Sequence, residues 1–210
     1  MGRRVGARDD GVSDRRHEIV EATLRLIGSR GVDAVTHRAV AAEAGVPLAA
    51  TTYYFASKAE LVREALELVI TRSCDLVEQS TAVVGAIDCD QLVERLTEFS
   101  AAQMDDPHAS LIAQYELMLE AGRRAELRPL AERWTIAYMQ GLTSLVRASP
   151  LPDPERSAEL ISALIEGALL DQLAAPREDF LECGLRPMLE LAVRGLSAER
   201  PAARGATASR

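Results

Sequence analysis

The sequence predicts an all-α protein of about nine helices. Apolar residues recur at helical spacing from end to end of the chain. No stretch alternates apolar and polar residues over the length of a strand, and no Asn-Gly or Asp-Gly pair joins two such stretches. At 210 residues the chain is long enough for one long domain or two short ones.

The first helix is predicted from about residue 14 to residue 29. Ile19 and Thr23 lie on one of its faces, and Gly31 supplies the left-handed turn that ends it. The residues before it, 1–13, are expected to form a basic, flexible arm.

Two short helices follow, joined by a tight turn. Thr36 is placed to cap a helix from His37 to Ala44, and Gly45 ends that helix because glycine readily takes the left-handed conformation. Pro47 fits the first position of the next helix, where its missing N–H costs nothing.

A fourth helix is predicted to begin at Lys58, because Ser57 and Glu60 form the S-x-x-E pattern of a capping box. Pro187 should kink or restart the last helix. Residues 197–210 lack apolar periodicity and are predicted to be disordered. The remaining helices are expected at about 90–104, 108–121, 127–148, 156–175 and 178–196.

Charge is distributed unevenly along the chain. The formal net charge is -8, yet residues 1–60 hold nine Lys and Arg against eight Asp and Glu. The acidity therefore belongs to the later residues, and the overall charge argues against wholesale coating of nucleic acid.

Composition also limits the compartment and the cofactors. The three cysteines form no CxxC pair, which indicates a reducing compartment and neither a disulfide framework nor a zinc site. The longest uncharged run, residues 44–57, is shorter than the roughly 20 residues of a spanning helix. We expect a soluble cytoplasmic protein with no membrane partner, no cofactor and no metal.

Residues 36–55 match the plan of a helix-turn-helix, in which two short helices meet at a tight turn and the second enters the DNA major groove. An uncharged reading helix with small side chains lets its backbone approach the base edges. Leu48, Ala50 and Thr51 are therefore the candidates for direct base readout, and Pro47 is counted with them as a DNA-binding residue.

The chain resembles the TetR family of bacterial transcriptional regulators over residues 14–70, and beyond them only in its helical layout. The pattern that carries the resemblance is seen at Gly45, Val46, Phe55, Ser57, Lys58 and Leu61. It implies a DNA-binding domain over 14–60 and a helical domain over 61–196 that binds a small molecule and dimerises.

The resemblance also implies phosphate contacts. They fall on Lys58, on polar residues that open the second helix, and on an aromatic near the end of the third helix. A cation at a helix N-terminus opposes the helix dipole by only about 0.3 to 1 kcal/mol, and a phosphate partner would explain Lys58 there. The residues opening the second helix are Thr36, His37 and Arg38, and Arg38 would hold either the DNA backbone or a guanine edge.

Three positions depart from the family pattern, which commonly has a small polar residue at Pro47, often Gly at Ala49 and often Tyr at Thr52. The tyrosine comes one residue later here, so the phosphate contact is open between Tyr53 and Tyr54, and Tyr53 is favoured.

In the second domain the resemblance implies a small-molecule pocket and a dimer interface. The apolar pocket candidates could equally be plain core, and Gln114, Glu116 and Glu120 could supply a polar end for a cationic or hydroxylated ligand. The helices of the interface could equally close a monomeric bundle. Pocket candidates are Met104, Tyr115, Met118, Trp134 and Tyr138. Interface candidates are Leu160, Ile161, Leu164, Ile165, Ala168, Leu169, Met188 and Leu191.

No constellation of catalytic residues is present, so an enzyme is not expected. Residues 105–108 read as a helix-breaking turn rather than a metal corner. The sequence thus predicts a homodimeric regulator, a repressor by family resemblance, that binds a near-palindromic double-stranded operator and is released by an unidentified small-molecule effector. The alternative is a helical protein-interaction module that keeps the helix-turn-helix shape.

Overall fold

The computed structural model describes residues 9–82, 85–105 and 111–198, and over these residues the protein contains nine α-helices and no strand. This confirms the predicted all-α fold class. Short 3₁₀ turns occupy Val32–Ala34 and Ala125–Leu127, and a π-helix occupies Phe180–Leu185. The α-helices are α1 (Asp9–Arg30), α2 (His37–Ala44), α3 (Leu48–Tyr54), α4 (Lys58–Thr81), α5 (Cys89–Asp105), α6 (Leu111–Arg123), α7 (Arg128–Arg147), α8 (Pro154–Ala174) and α9 (Arg186–Ala198).

The first helix is longer than the sequence predicts. α1 begins at Asp9, so the predicted flexible arm over 1–13 is wrong for residues 9–13. Apolar periodicity marks only the part of a helix that packs, whereas backbone hydrogen bonding can extend beyond that part. The arm at 1–8 and the tail at 199–210 lie outside the described residues, and Ser197 and Ala198 still belong to α9.

Two further local predictions can be compared with the backbone. Gly31 has the positive φ expected of it, at 77°, but its ψ of 167° is extended rather than left-handed helical. Pro187 is the second residue of α9, which follows directly on the π-helix. The predicted restart of the last helix is therefore confirmed. A new helix can start here because a proline costs little in the first turn.

The chain divides into two compact units, and the division falls inside α4, α5 and α7. The first unit comprises 1–75 and 103–135, and the second comprises 76–102 and 136–210. The sequence boundary at residue 60 lies inside the first unit and stays a prediction about function.

The first unit has one hydrophobic core, to which α1, α2, α4 and α6 contribute. α1 packs against both α2 and α6, and α2 packs against α3. Ile19 and Thr23 are fully buried on the predicted face of α1. Ala113 and Leu117 of α6 are buried in the same core, so the helix pair at 37–54 rests on a base that sequence-distant residues help to build.

In the second unit, α7 approaches the end of α4 closely at Gly141. A Cβ atom at this position would lie 2.2 Å from Cγ1 of Val77 and 3.0 Å from Oγ1 of Thr81. The side chain of Val77 is itself buried. The two helices can therefore come this near only where one of them has no side chain.

We predict that Gly141→Ala lowers the free energy of unfolding by about 1 to 3 kcal/mol, because the added methyl group overpacks the crossing. Urea unfolding of the full chain measures it. Gly122→Ala is the control, since nothing lies within 4 Å of a Cβ there. At an exposed helical position that change should be neutral or stabilise the chain by about 0.5 to 1 kcal/mol. Equal unfolding midpoints for both variants would contradict the close approach.

Candidate nucleic-acid interface

Helix α2 has both of the ends that the sequence predicts. The hydroxyl of Thr36 accepts a hydrogen bond from the backbone N–H of Ala39 at 3.1 Å. At the other end Gly45 is left-handed (φ 65°, ψ 29°), and its N–H bonds to the carbonyl of Ala42 while that of Val46 bonds to Ala41. This pair of bonds is the Schellman motif, which reverses the chain within two residues.

Helix α3 begins one residue later than predicted. Pro47 caps the helix rather than opening it, and the N–H of Ala50 donates to the Pro47 carbonyl at 2.9 Å. The helix ends at Tyr54, and Phe55 after it turns to extended backbone and buries its ring in the core of the first unit. A seven-residue helix is too short to be stable alone, so its ends must be held by the rest of the unit.

The start of α4 is capped nearly as predicted. The N–H of Glu60 donates to the hydroxyl of Ser57 at 3.2 Å, which is the first half of a capping box. The returning carboxylate of Glu60 instead accepts from the N–H of Ala56 at 2.6 Å, one residue before the position that the pattern implies. Both contacts anchor the segment that follows α3.

Thr51 is corrected as a base-reading residue, because its side chain is fully buried. Its hydroxyl donates to the carbonyl of Leu48 at 2.8 Å and lies 3.4 Å from the carbonyl of His37. Thr51 therefore joins α3 to α2. The sequence held a signal for this, since Thr51 lies about one helical turn before Phe55, where the chain enters the core.

The outer face of α3 carries Leu48, which is 45% exposed, with Ala49 and Thr52 beside it. Thr52 was missed as a candidate, although it lies four residues after Leu48 and therefore on the same face. Its hydroxyl lies 3.2 Å from the carbonyl of Ala49 in its own helix. Ala50, which was predicted to read bases, is half-buried at the edge of this face.

The two tyrosines at the end of α3 differ in exposure. Tyr53 is 79% exposed, whereas Tyr54 is half-buried against the core. Their rings pack edge to face with centroids 5.0 Å apart, so Tyr54 helps to fix the position of the Tyr53 ring. Tyr53 is therefore the more exposed of the two side chains.

Three basic side chains belong to the helices that precede and follow α3. Arg38 is exposed at the start of α2, and no hydrogen bond or ion pair holds it among the described residues. His37 is half-buried, and its Nδ1 atom has no hydrogen-bond partner in the described part of the chain. Lys58 donates from its ammonium group to the carbonyl of Asp33 at 3.1 Å.

The contact with Asp33 bears on the phosphate-binding role predicted for Lys58. A carbonyl oxygen already offers a partner to the cation at the start of α4, so its presence there does not require a phosphate. An ammonium group carries three donors, and this bond uses one of them. Lys58 can therefore donate to a bound anion with its remaining N–H groups while its bond to Asp33 stays in place.

The predicted pocket residues do not all belong to one unit. Met104, Tyr115, Met118 and Trp134 are half-buried in the first unit, and Met118 and Trp134 pack against its core. Tyr138 is buried in the second unit, where its ring lies 5.8 Å from that of Phe99.

The phenol of Tyr138 lies in an environment that opposes its ionisation. Burial raises the pKa of Tyr138 well above its ordinary value, the negative charge of Glu166 raises it further, and a hydrogen bond with Ser162 lowers it in part. A buried phenol bonded within its own unit fits a core position.

The three polar candidates on α6 differ in their partners. Glu120 is buried and forms ion pairs with Arg123 and Arg124. Gln114 is buried 3.3 Å from the hydroxyl of Ser73. Glu116 is half-buried, and no ion pair neutralises it within the described segments. Glu116 is thus the carboxylate best placed to accept a new positive charge.

The predicted dimer residues also separate into two groups. Ile161, Ile165, Ala168 and Leu169 are buried within the second unit of a single chain, so their assignment to a partner-facing surface is corrected. Leu160, Met188 and Leu191 are exposed and Leu164 is half-buried. Leu170 is exposed on α8 and was missed.

None of the described helices combines the length and apolarity needed to cross a membrane. Within 9–82, 85–105 and 111–198, no group of three His, Cys, Asp or Glu residues gathers closely enough to hold a metal ion. The predicted turn at 105–108 lies, beyond the backbone of Asp105, outside the described residues.

Comparison with known proteins gives matches along most of the chain. The family model "Bacterial regulatory proteins, tetR family" matches residues 19–65, and the model "Tetracyclin repressor-like, C-terminal domain" matches residues 88–199.

Two relatives and one solved structure illustrate the likeness. The nicotine-responsive transcriptional repressor HdnoR of Paenarthrobacter nicotinovorans is 26% identical, over 79% of this chain and 87% of its own. The transcriptional regulator BetI of Rhizobium meliloti is 31% identical, over 75% and 77%. The multidrug binding protein EbrR complexed with ethidium is 28% identical, with a TM-score of 0.62 over 85% and 98% of the two chains.

The neighbouring threonines of α3 provide a test of their assignment. Thr51→Ala should lower the free energy of unfolding by about 1 to 2 kcal/mol, because it removes a buried methyl group and a buried hydrogen bond. Thr52→Ala should change it by less than about 0.5 kcal/mol, as for other surface positions. Chemical denaturation of both variants measures the difference, and a larger loss at Thr52 would reverse the two roles.

Proposed function

The chain belongs to the TetR family of bacterial transcriptional regulators, and we propose that it is a cytoplasmic repressor that binds a near-palindromic DNA operator as a homodimer and is released by a small-molecule effector. The observation that carries the proposal is the exposed, uncharged outer face of α3. The repressor role is supported by the similarity to HdnoR, which is a transcriptional repressor.

The face of α3 suits the major groove of DNA. Leu48 and the methyl group of Thr52 offer apolar contact to thymine methyl groups, and the Thr52 hydroxyl can exchange its weak intrahelical bond for a base edge. Small side chains here allow the helix to approach closely. We assign base readout to Leu48, Ala49 and Thr52, with Ala50 at the edge.

Phosphate contacts are assigned to the groups around this face. Arg38 is an exposed cation at the N-terminus of α2, where the helix dipole also favours an anion. Tyr53 offers its exposed hydroxyl, and Lys58 offers the donors that Asp33 leaves unused. Thr36 and His37 open α2 beside Arg38, and Pro47 precedes the reading helix. These contacts position the protein and carry little sequence information.

The exposed apolar residues of α8 and α9 support the proposed homodimer. Leu160 and Leu170 lie on α8, and Met188 and Leu191 lie on α9, with Leu191 70% exposed. Large exposed apolar side chains that recur on two helices of one unit are typical of an association surface. Two-fold symmetry would place one α3 on each operator half-site.

The effector is proposed to be an organic cation. EbrR is complexed with ethidium, an aromatic cation, and HdnoR responds to nicotine, an amine that can be protonated. In this chain the first unit supplies aromatic rings at Tyr115 and Trp134, which can bind a cation through their faces. Glu116 supplies the unneutralised carboxylate, and Met104 and Met118 the polarisable apolar contacts.

Operator binding is tested by selecting bound sites from random duplex DNA with the purified protein. We expect a near-palindromic sequence whose affinity falls steeply with added salt, because bound counterions are released. Lys58→Gln should weaken binding to all sequences alike and reduce the salt slope by about 1, whereas Thr52→Ala should change the preferred bases.

Thr51→Ser, which keeps the buried hydroxyl, is the control for Thr52→Ala and should leave the preference unchanged. A loss of preference in both variants would contradict the assignment of readout to the outer face. No enriched site at all would favour the alternative, a protein-interaction module that uses the apolar face of α3.

The effector class is tested with tetraphenylphosphonium and its neutral analogue triphenylphosphine oxide, neither of which intercalates between bases. Trp134 is the single tryptophan, so its fluorescence reports binding. We expect a saturable change and weaker operator binding with the cation alone. Glu116→Gln should weaken cation binding about tenfold, as for the loss of one charged partner. Glu120→Gln should have little effect, because Glu120 is already paired with two arginines.

Equal responses to the charged and neutral compounds would remove the cation from the proposal. Cation binding that leaves operator affinity unchanged would remove the release mechanism, because a ligand shifts an equilibrium only by its difference in affinity for two states.

A further inference from the structure

The chain between α8 and α9 forms a corner, residues 172–186, whose backbone is held by a side chain. The amide nitrogen of Gln172 donates to the carbonyl of Arg177 at 3.0 Å, and its amide oxygen accepts from the N–H of Arg177 at 3.0 Å. One side chain thus satisfies both backbone groups of one loop residue, which otherwise would have to be bonded by water or by a neighbouring segment.

The side chain of Arg177 packs back on the π-helix. Its guanidinium carbon lies 5.7 Å from the centroid of the buried Phe180 ring, within the range of a cation–π contact. The same group lies against Gly184, where a Cβ atom would be 2.6 Å from a guanidinium nitrogen and 3.2 Å from the Phe180 ring. Only a glycine at this buried position leaves room for Arg177.

The π-helix decides which residues of α9 face outward. A π turn holds about one residue more than an α turn, so the side chains that follow are rotated by about 100° relative to an uninterrupted α-helix. Leu185, Leu189 and Val193 are buried, while Met188 and Leu191 are exposed. Loss of the extra residue would carry other side chains to the surface.

The first residue of α9 is also tied down. Arg186 pairs with Glu94 of α5 at 2.8 Å and with Glu182 of the π-helix at 3.2 Å. Its hydrogen bond to Glu94 raises the pKa of Arg186 above its usual value. The corner and this ion pair both hold the start of α9, one from each side of the π-helix.

We propose that the corner is a positioning element for self-association, in which Gln172, Arg177 and Gly184 set the rotation of α9 about its own axis and thereby the surface that α9 offers to a second copy of the chain. The inference rests on the homodimer proposed above. These residues act through α9 rather than by binding the partner.

The test compares the full chain with Gln172→Ala, which removes both backbone bonds, and Gly184→Ala, which displaces Arg177. In the latter the atom in the way ends a flexible side chain, so the fold should survive. Gly122→Ala is the control, because the same change meets open space there. Sedimentation equilibrium gives the dimer dissociation constant. Mass spectrometry follows amide hydrogen exchange over 157–169 of α8 and 186–198 of α9, at a protein concentration far above every dimer dissociation constant, so that loss of the dimer does not itself expose Leu160 of α8.

We expect both variants, and not the control, to raise the dimer dissociation constant about tenfold or more, as for the loss of two hydrogen bonds or one packed ion contact. Exchange should quicken over 186–198 and stay unchanged over 157–169. Equal acceleration over both segments would mean general destabilisation of the second unit, and it would overturn the positioning role.

Failure of the dimer and failure of the corner give different results. If the natural chain dimerises and both variants match the control, the positioning role is overturned and the homodimer stands. If the natural chain stays monomeric at every concentration, the homodimer is wrong. Exchange over 186–198 then decides alone: acceleration in the two variants supports the role of the corner in placing α9, and unchanged exchange overturns it.

Discussion

The burial of Phe55 is the contact on which the presentation of α3 depends. Its ring is 1% exposed in the core of the first unit, and the guanidinium of Arg16 lies 5.2 Å above it. Arg16 is paired in turn with Glu64 of α4 at 2.5 Å, so α1 and α4 close over the end of α3. A seven-residue helix gains little stability from its own hydrogen bonds. Its outer face can therefore remain uncharged and apolar only because the inner face is anchored.

The negative charge of the chain is concentrated after residue 60. The first 60 residues are nearly neutral, while the remainder carries most of the negative charge. An acidic remainder repels DNA at long range, so attraction must come from a few cations close to the phosphates, such as Arg38 and Lys58. Such contacts act within a Debye length of about 8 Å at physiological salt, which favours binding only in one orientation.

In the second unit, α8 and α9 each carry apolar residues on an inner and on an outer face. On α8, Ile161 and Ile165 complete the core of one chain, and Leu160 and Leu170 remain for another surface. A helix with apolar residues on both faces buries only one of those faces within its own unit. The rotation of α9 then decides how much apolar surface is left exposed, which is why a glycine and an arginine in a connecting corner bear on association.

The sequence by itself determined the fold class and the ends of the short helices. Thr36, Gly45 and Ser57 bond to backbone groups only a few residues away, so the local sequence is enough to predict these helix ends. Tertiary structure alone decided that Thr51 is buried and Thr52 exposed. Adjacent residues of a helix point in different directions, and only the position of the neighbouring helices decides which direction is buried. It also decided the division of the α8 apolar residues between core and surface, the extension of α1 to Asp9, and the inclusion of α6 in the first core. Helical periodicity states which residues share a face, whereas only packing states what that face meets.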